Sequence, residues 1–284
     1  MSTPSTPIRV SAKFLAGMAM PTFCPCCYWY RLHCGTPPFS SFPSIFNDID
    51  LYTKRLVRAY IDKHGHPPNW MGVLSVADGY TDPGTLQWHD EKNDIMLRGI
   101  LDELLHAEDR SRWFLLDYKT ARYTAGQDRL LPLYKVQLLA YAFLLMKAGY
   151  KNPEISALIY FEPPESPTLK ELGDCTKEGG FVLPLSAKVV KIDLEDFARI
   201  DDLLNKTRKI YDQTKAPEGR EGCPDCKRLN TLIHQAKSDP HAGKELTDRY
   251  VRSNFGQWNH VRVWTDVAGD PVPEDSLEEL TASL

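Results

Sequence analysis

The stretch Trp113-Phe114-Leu115-Leu116-Asp117-Tyr118-Lys119-Thr120 joins an apolar run to a carboxylate and an amine that lie two residues apart. A short apolar run of this kind is typical of a buried β-strand. Side chains alternate along a strand, so Asp117 and Lys119 would leave one face of the sheet while Tyr118 points to the other. The stretch therefore predicts a strand that ends in a polar site.

The composition predicts a folded, soluble chain. Its 284 residues are 42% hydrophobic and 25% charged, which is ordinary for a globular protein. The length suits one large, decorated domain, which we favour, or two small domains. The net charge of -4 argues against a protein that coats nucleic acid by bulk attraction, but it leaves room for a local basic groove and for an acidic metal site. No apolar run approaches the roughly 20 residues that a membrane span needs.

The residues around the opening stretch predict an antiparallel hairpin. Residues 95–107 and 113–119 are the two strongest strand candidates, and the polar residues 108–111 between them fit a tight connection. If the turn is centred between residues 109 and 110, Asp102 lies directly opposite Asp117. Directly opposed carboxylates repel each other unless something offsets the charge. Two carboxylates and a lysine at a sheet edge suit a divalent cation with oxygen ligands such as Mg²⁺.

Other segments have clear helix or strand patterns. Gln137 and Tyr141 are four residues apart on a predicted helix and so share a face. The basic side of the first long helix is expected to be solvated surface, with a phosphate contact as the alternative. The predicted helices are 45–64, 134–149 and 194–213, the predicted strands include 71–76, 155–161 and 188–192, and a last ordered stretch is expected at 250–267.

Seven cysteines without a convincing export signal indicate a reducing compartment, the cytoplasm, where clustered thiols usually serve metal or redox chemistry. Four of them form two Cys-x-x-Cys motifs, at Cys24 and Cys27 and at Cys223 and Cys226. This spacing predicts a tetrathiolate metal site. A shared metal would close a loop of about 200 residues between the first and last helices.

Three of these features together resemble the RecB-type branch of the PD-(D/E)XK nuclease superfamily. They are Gly99-x-x-Asp102, Asp117-Tyr118-Lys119-Thr120 and Gln137-x-x-x-Tyr141, in that order. The resemblance implies an α/β fold with a restriction-endonuclease-like core, in which a mixed β-sheet is flanked by helices. It also implies metal-dependent cleavage of phosphodiester bonds in DNA, with single- or double-stranded DNA ends as the substrate. No association with a membrane is expected.

The resemblance implies a role for each residue of the site. Asp102 and Asp117 would hold Mg²⁺ or Mn²⁺ with the backbone carbonyl of Tyr118, and Lys119 would orient the attacking water and stabilise developing negative charge. Gln137 and Tyr141 would brace the site or touch the DNA backbone. Many relatives carry a further acid or a histidine on the preceding helix. No histidine occurs between residues 48 and 62, and Asp50 is the nearest acidic candidate.

The cysteines also resemble those of AddB-type and CRISPR-associated exonucleases, which bracket the nuclease domain with ligands of a 4Fe-4S cluster. Those relatives usually place one cysteine before the core and three after it, whereas Cys24, Cys27, Cys223 and Cys226 are split two and two. Cys-Pro-x-Cys motifs also bind zinc. The resemblance favours a 4Fe-4S cluster, and the motifs leave Zn²⁺ as the alternative.

The predicted organisation is a flexible tail over residues 1–20, a nuclease domain over 21–230 that carries both cysteine motifs, and an extension with an acidic tail over 231–284. Two functions are consistent with the sequence. The first is an exonuclease-type DNA nuclease in repair, recombination or defence, in which protein partners in a repair or defence complex are expected. The second is a catalytically idle relative that binds nucleic acid or a protein.

Overall fold

The structure is a computed structural model, and it describes residues 7–35, 45–124, 129–165 and 168–238. The ordered stretch expected at 250–267 and most of the expected extension over 231–284 lie outside the described residues. The strands of the described chain are β1 (Ile8–Ser11), β2 (Gly79–Tyr80), β3 (Thr85–Asp90), β4 (Ile95–Ile100), β5 (Glu103–His106), β6 (Trp113–Lys119), β7 (Ile155–Glu162), β8 (Thr176–Lys177), β9 (Gly180–Phe181) and β10 (Ser186–Ile192). The α-helices are α1 (Ala12–Ala16), α2 (Pro25–Cys34), α3 (Ile45–His64), α4 (Leu131–Lys147), α5 (Leu169–Asp174), α6 (Ala198–Tyr211) and α7 (Pro224–Ser238), with 3-10 helices at Gly17–Ala19 and Asn69–Val76.

The strands form two mixed sheets and one short hairpin. The larger sheet has the order β10-β7-β6-β5-β2, the smaller sheet has the order β1-β4-β3, and β8 pairs with β9. Strand β6 runs parallel to β7, β1 runs parallel to β4, and the remaining pairs are antiparallel. Helices flank these sheets. The predicted mixed α/β fold is therefore confirmed.

Strand β6 separates an apolar core from a polar site. Phe114, Leu116 and Tyr118 lie in a core cluster that also contains residues of α3 and of the 3-10 helix at Asn69–Val76. The residues between them alternate to the opposite face, where Asp117 reaches α4. Because α4 packs against both sheets and against α1 and α6, almost all of its side chains from Val136 to Leu145 are buried.

The hairpin forms in the predicted register, but its first strand is interrupted. The paired residue numbers of β5 and β6 add up to 219, as in Glu103 with Leu116, which is also the sum for Asp102 and Asp117. The continuous strand predicted over 95–107 is wrong. Strand β4 ends at Ile100 in the smaller sheet and β5 begins at Glu103 in the larger one. The chain changes sheets at the break, so Asp102 belongs to neither ladder.

Two further segments differ from their prediction. Residues 71–76 form part of a 3-10 helix rather than a strand, and its buried residues Met71 and Leu74 are three apart, which matches one 3-10 turn. Residues 8–19 of the predicted flexible tail over 1–20 form a strand and two short helices, and residues 1–6 lie outside the described residues. Strand β1 pairs with β4, and the apolar side chains of Val10 and Leu15 are fully buried.

The described chain divides into two compact units. The larger unit contains described residues 7–23 and 45–217, and it carries both mixed sheets. The smaller unit contains residues 24–35 and 218–238. Helices α2 and α7 pack against each other in this smaller unit.

Candidate functional site

The two predicted carboxylates lie beside a pair of strands. Asp102 directly precedes β5, and Asp117 lies near the end of β6. Asp102 Oδ2 accepts a hydrogen bond of 2.9 Å from the backbone N–H of Tyr118, and Asp102 Oδ1 lies 2.8 Å from the ammonium of Lys54. Asp117 Oδ1 accepts a hydrogen bond of 3.0 Å from Gln137, and Asp117 Oδ2 forms an ion pair with Lys119. Each carboxylate therefore has one oxygen fixed by a neutral donor and the other beside a lysine.

The environment of Asp117 disfavours its charged form. Burial raises the pKa of the Asp117 carboxyl, the nearby charge of Asp102 raises it further, and the ammonium of Lys119 only partly offsets both, so the pKa is about 6. The side chain is 1% exposed. Counting Asp50, three carboxylates lie beside only two ammonium groups, those of Lys54 and Lys119, and a divalent cation with oxygen ligands would add the missing positive charge.

Lys119 lies on the same face of β6 as Asp117, as the strand periodicity predicts. Its ammonium lies 4.3 Å from the centre of the Tyr134 ring and donates a hydrogen bond of 3.5 Å to Gln137 Oε1. The side chain is largely buried. A charged amine is thus held beside the carboxylate by an ion pair and an aromatic face.

Helix α4 supplies the two polar side chains predicted to share a face. The amide nitrogen of Gln137 donates to both Asp117 Oδ1 and the hydroxyl of Tyr141, each at 3.0 Å. Burial raises the pKa of Tyr141 and the charge of Asp117 adds to the effect, so the phenol stays protonated at neutral pH. Because both hydrogens of the Gln137 amide form hydrogen bonds, the amide holds the Asp117 carboxylate in one orientation.

Lys54 on α3 belongs to the site, although its role was not predicted from the sequence. Its ammonium lies between Asp50 Oδ2 at 2.6 Å and Asp102 Oδ1 at 2.8 Å. Burial lowers the pKa of Lys54, but the charge of Asp102 and the hydrogen bonds to both carboxylates outweigh it and raise the pKa. The expectation of a solvated basic face is therefore wrong for Lys54, and it is also wrong for Arg58, one turn further along.

Arg58 and Glu103 form a second, buried ion pair next to the site. Arg58 Nε lies 3.2 and 3.1 Å from the two carboxylate oxygens of Glu103, whose side chain is completely buried. Burial raises the pKa of Glu103 although Arg58 opposes the shift. Asp50, Lys54 and Arg58 are four residues apart in sequence, and this spacing was the available signal that they share one helix face.

Gly99 allows β4 to approach α4. A Cβ atom at this position would lie 2.9 Å from the ring of Tyr141 and 2.9 Å from a methyl group of Leu144. A larger residue would therefore push against the aromatic ring that contacts Gln137. This close approach explains why glycine precedes Asp102 by three positions.

The four cysteines of the two motifs meet in the smaller unit. One ligand atom from each of Cys24, Cys27, Cys223 and Cys226 lies within 4.8 Å of all the others. Burial raises the pKa of the Cys24 thiol, but backbone hydrogen bonds from Cys27 and Arg220 outweigh it and bring the pKa to about 7. These four residues could hold a metal ion, as the spacing predicts.

The larger unit therefore places the carboxylates of Asp102 and Asp117 and the ammonium group of Lys119 in one polar network. The model of the PD-(D/E)XK nuclease superfamily matches residues 49–230 of the sequence. The chain belongs to this superfamily, and the predicted resemblance is confirmed at that level. Family membership supports a nuclease that hydrolyses phosphodiester bonds in nucleic acid.

Two solved structures are similar to the chain. One is SSO0001, with a TM-score of 0.40 and 14% identity, covering 75% of this chain and 81% of that chain. The other is a phage-related exonuclease from Haemophilus somnus 129PT, with a TM-score of 0.42 and 11% identity, covering 73% of this chain and 95% of that chain. The search of curated proteins found no match. Within the described residues, no helix has both the length and the apolar character needed to cross a bilayer.

Proposed function

We propose that the chain is a Mg²⁺- or Mn²⁺-dependent deoxyribonuclease of the RecB-like branch that attacks single- or double-stranded DNA from its ends. Its proposed setting is DNA repair, recombination or defence, in the cytoplasm. One observation carries this proposal. Asp102, Asp117 and Lys119 lie in one polar network, and with Asp50 this network has three carboxylates beside only two lysines.

The side chains of the site would divide the work of hydrolysis. A divalent cation, when bound, polarises the phosphate and lowers the pKa of water. Asp102 and Asp117 would hold the ion together with the Tyr118 carbonyl. The Tyr118 N–H and the Gln137 amide keep the two carboxylates oriented, so little rearrangement is needed before the reaction.

Lys119 is the proposed electrostatic residue. Its ammonium is fixed beside Asp117 and over the Tyr134 ring, so it is already positioned when substrate arrives. It would orient the attacking water and stabilise the negative charge that develops on the phosphate. Tyr141 would brace Gln137 through its hydroxyl or contact the DNA backbone.

Cleavage assays with matched variants test the proposal. Wild type should degrade linear DNA with Mg²⁺ or Mn²⁺ and should spare closed circular DNA, because the proposed action starts at an end. Asp117→Ala and Lys119→Ala should each lower the cleavage rate about 100- to 1,000-fold. Lys63→Ala, at the exposed end of α3, should retain the wild-type rate.

The assay also separates the two functions that the sequence allows. If pure, folded wild type cuts neither linear nor circular DNA with any divalent ion, the chain is an idle relative that binds nucleic acid or a protein. Cleavage of circular DNA at the same rate as linear DNA would instead remove the exonuclease part of the proposal.

A further inference from the structure

The two cysteine motifs of the smaller unit have the same local structure. Cys24 and Cys223 are each followed by proline, which begins helices α2 and α7 respectively. In each motif the first cysteine's carbonyl accepts a backbone hydrogen bond from the residue four positions on, at 3.0 Å from Tyr28 and at 3.1 Å from Lys227. The four thiols are thus presented by two equivalent turns at two helix N-termini, where partial positive charge favours thiolates.

The sulfur atoms of these motifs are in contact. The Sγ atoms of Cys24 and Cys226 are 3.5 Å apart, those of Cys27 and Cys226 are 3.5 Å apart, and those of Cys27 and Cys223 are 3.7 Å apart. These separations are far longer than the roughly 2.05 Å of a disulfide bond. Four thiolates around one ion with bonds of 2.3 Å in tetrahedral geometry lie about 3.8 Å apart.

A four-iron cluster requires a different arrangement. Each of its thiolates binds a different iron atom, so the irons and their bridging sulfides separate the thiolate sulfurs from one another. The four sulfurs of this chain, all within 4.8 Å, leave no room for a cubane between them. The residues present therefore do not fit the cluster that the resemblance implies.

The backbone at residues 219 and 220 lies close to the sulfur atoms. The N–H of Arg220 donates a hydrogen bond of 3.2 Å to Cys24 Sγ. A Cβ atom on Gly219 would lie 2.8 Å from Cys226 Sγ, so the main chain passes directly against the sulfurs. A backbone that closes on four contacting sulfurs fits a single small ion and excludes a larger cofactor.

We infer that Cys24, Cys27, Cys223 and Cys226 bind one tetrahedral Zn²⁺ ion in place of a 4Fe-4S cluster. The ion would be structural, because four protein ligands leave no open coordination position. This inference is independent of the proposed nuclease function, since it concerns another unit of the chain and its test does not measure cleavage.

The test is a metal and thiol analysis of the full chain purified without oxygen. We expect one zinc per chain, no iron and no acid-labile sulfide. Replacing zinc with Co²⁺ should give the intense visible absorption of tetrahedral cobalt-thiolate. Of the seven cysteines, three should react with a thiol reagent in the metal-bound protein, because the other four are ligands.

Matched variants complete the test. Cys223→Ser should lose zinc, and Cys34→Ser, which changes an exposed cysteine outside the cluster, should keep one zinc per chain. If Cys223→Ser does not fold, the number of reactive thiols in wild type still tests the inference. It should rise from three to seven when the metal is removed by a chelator. Iron with stoichiometric sulfide and a visible band that bleaches on reduction would overturn the inference, as would a metal-free protein with all seven thiols reactive.

Discussion

Asp117 is a residue whose charge costs the folded protein stability. Its carboxyl ordinarily has a pKa of 3.8, and burial together with Asp102 raises the pKa to about 6. Between these pH values the unfolded chain has released the proton while the folded chain still holds it. The free energy of unfolding therefore falls as the pH rises from about 4 to about 6, and above that range the charged carboxylate disfavours folding.

Asp117→Asn should separate this cost from activity. The neutral amide keeps an oxygen that accepts from Gln137, so in EDTA at pH 7.5 the variant should melt about 2–4 °C higher than wild type. At pH 5 the gain should shrink because wild type is then protonated. Metal-dependent cleavage should be lost at both pH values. Asp201→Asn, on the exposed side of α6, serves as the control, and an unchanged melting difference between the two pH values would contradict the account.

We expect Lys54 to compete with the proposed metal ion for Asp102. Its ammonium lies 2.8 Å from Asp102 Oδ1, an oxygen of a proposed metal ligand, and 2.6 Å from Asp50 Oδ2. Lys54→Met keeps the length of the side chain but leaves both carboxylates uncompensated, so Mn²⁺ should bind about tenfold more tightly by calorimetry, which corresponds to 1.4 kcal/mol. Lys63→Met should bind Mn²⁺ like wild type. Weaker binding in Lys54→Met would show that Lys54 supports the metal site instead of competing for it.

At the scale of elements, hairpin register could be predicted because a tight turn fixes a constant sum of paired residue numbers. That arithmetic placed Asp102 opposite Asp117, and the pairing of Glu103 with Leu116 has the same sum. The break at residues 101 and 102 could not be predicted, because both halves of the segment are apolar and the change of sheet depends on packing against α4. The local pattern of apolar residues carries no information about that long-range contact.

The packing of β4 against α4 gives a prediction of its own. In Gly99→Ala the new methyl group must displace Tyr141 or Leu144, so we expect a loss of about 1–3 kcal/mol in the free energy of unfolding and a slower cleavage rate. Gly17→Ala, where a Cβ atom meets nothing within 4 Å, is the matched control and should be neutral. Wild-type stability in Gly99→Ala, measured by urea unfolding, would contradict the close approach.

Helix α3 shows where sequence reasoning failed at this scale. The bounds of α3 were predicted, but its basic residues were assigned to solvent because charged faces usually are. Lys54 instead pairs with Asp50 and Asp102, and Arg58 pairs with Glu103. A charged side chain is usually buried only beside an oppositely charged partner. The partner Glu103 is followed by two leucines in a short strand, so the pairing was visible only in the structure.

At the scale of the whole molecule, the two Cys-x-x-Cys motifs predicted a contact between residues about 200 positions apart, and the structure brings them together. Ligand chemistry made this long-range prediction possible, because four thiols at that spacing have one common use. The boundaries of the two units, near residues 23 and 217, are visible only in the structure, since nothing in the composition marks them. The identity of the metal likewise depends on distances between sulfurs, which spacing alone does not give.

The most direct test of the central claim is the single-turnover cleavage rate of end-labelled linear DNA by wild type and Lys119→Met over a range of Mg²⁺ concentrations. Methionine keeps the length and packing of the side chain over Tyr134 but removes the charge. The account predicts cleavage by wild type that EDTA abolishes, and a maximal rate about 100- to 1,000-fold lower in the variant at saturating Mg²⁺. Equal maximal rates in the two proteins, or wild-type cleavage that persists in EDTA, would contradict it.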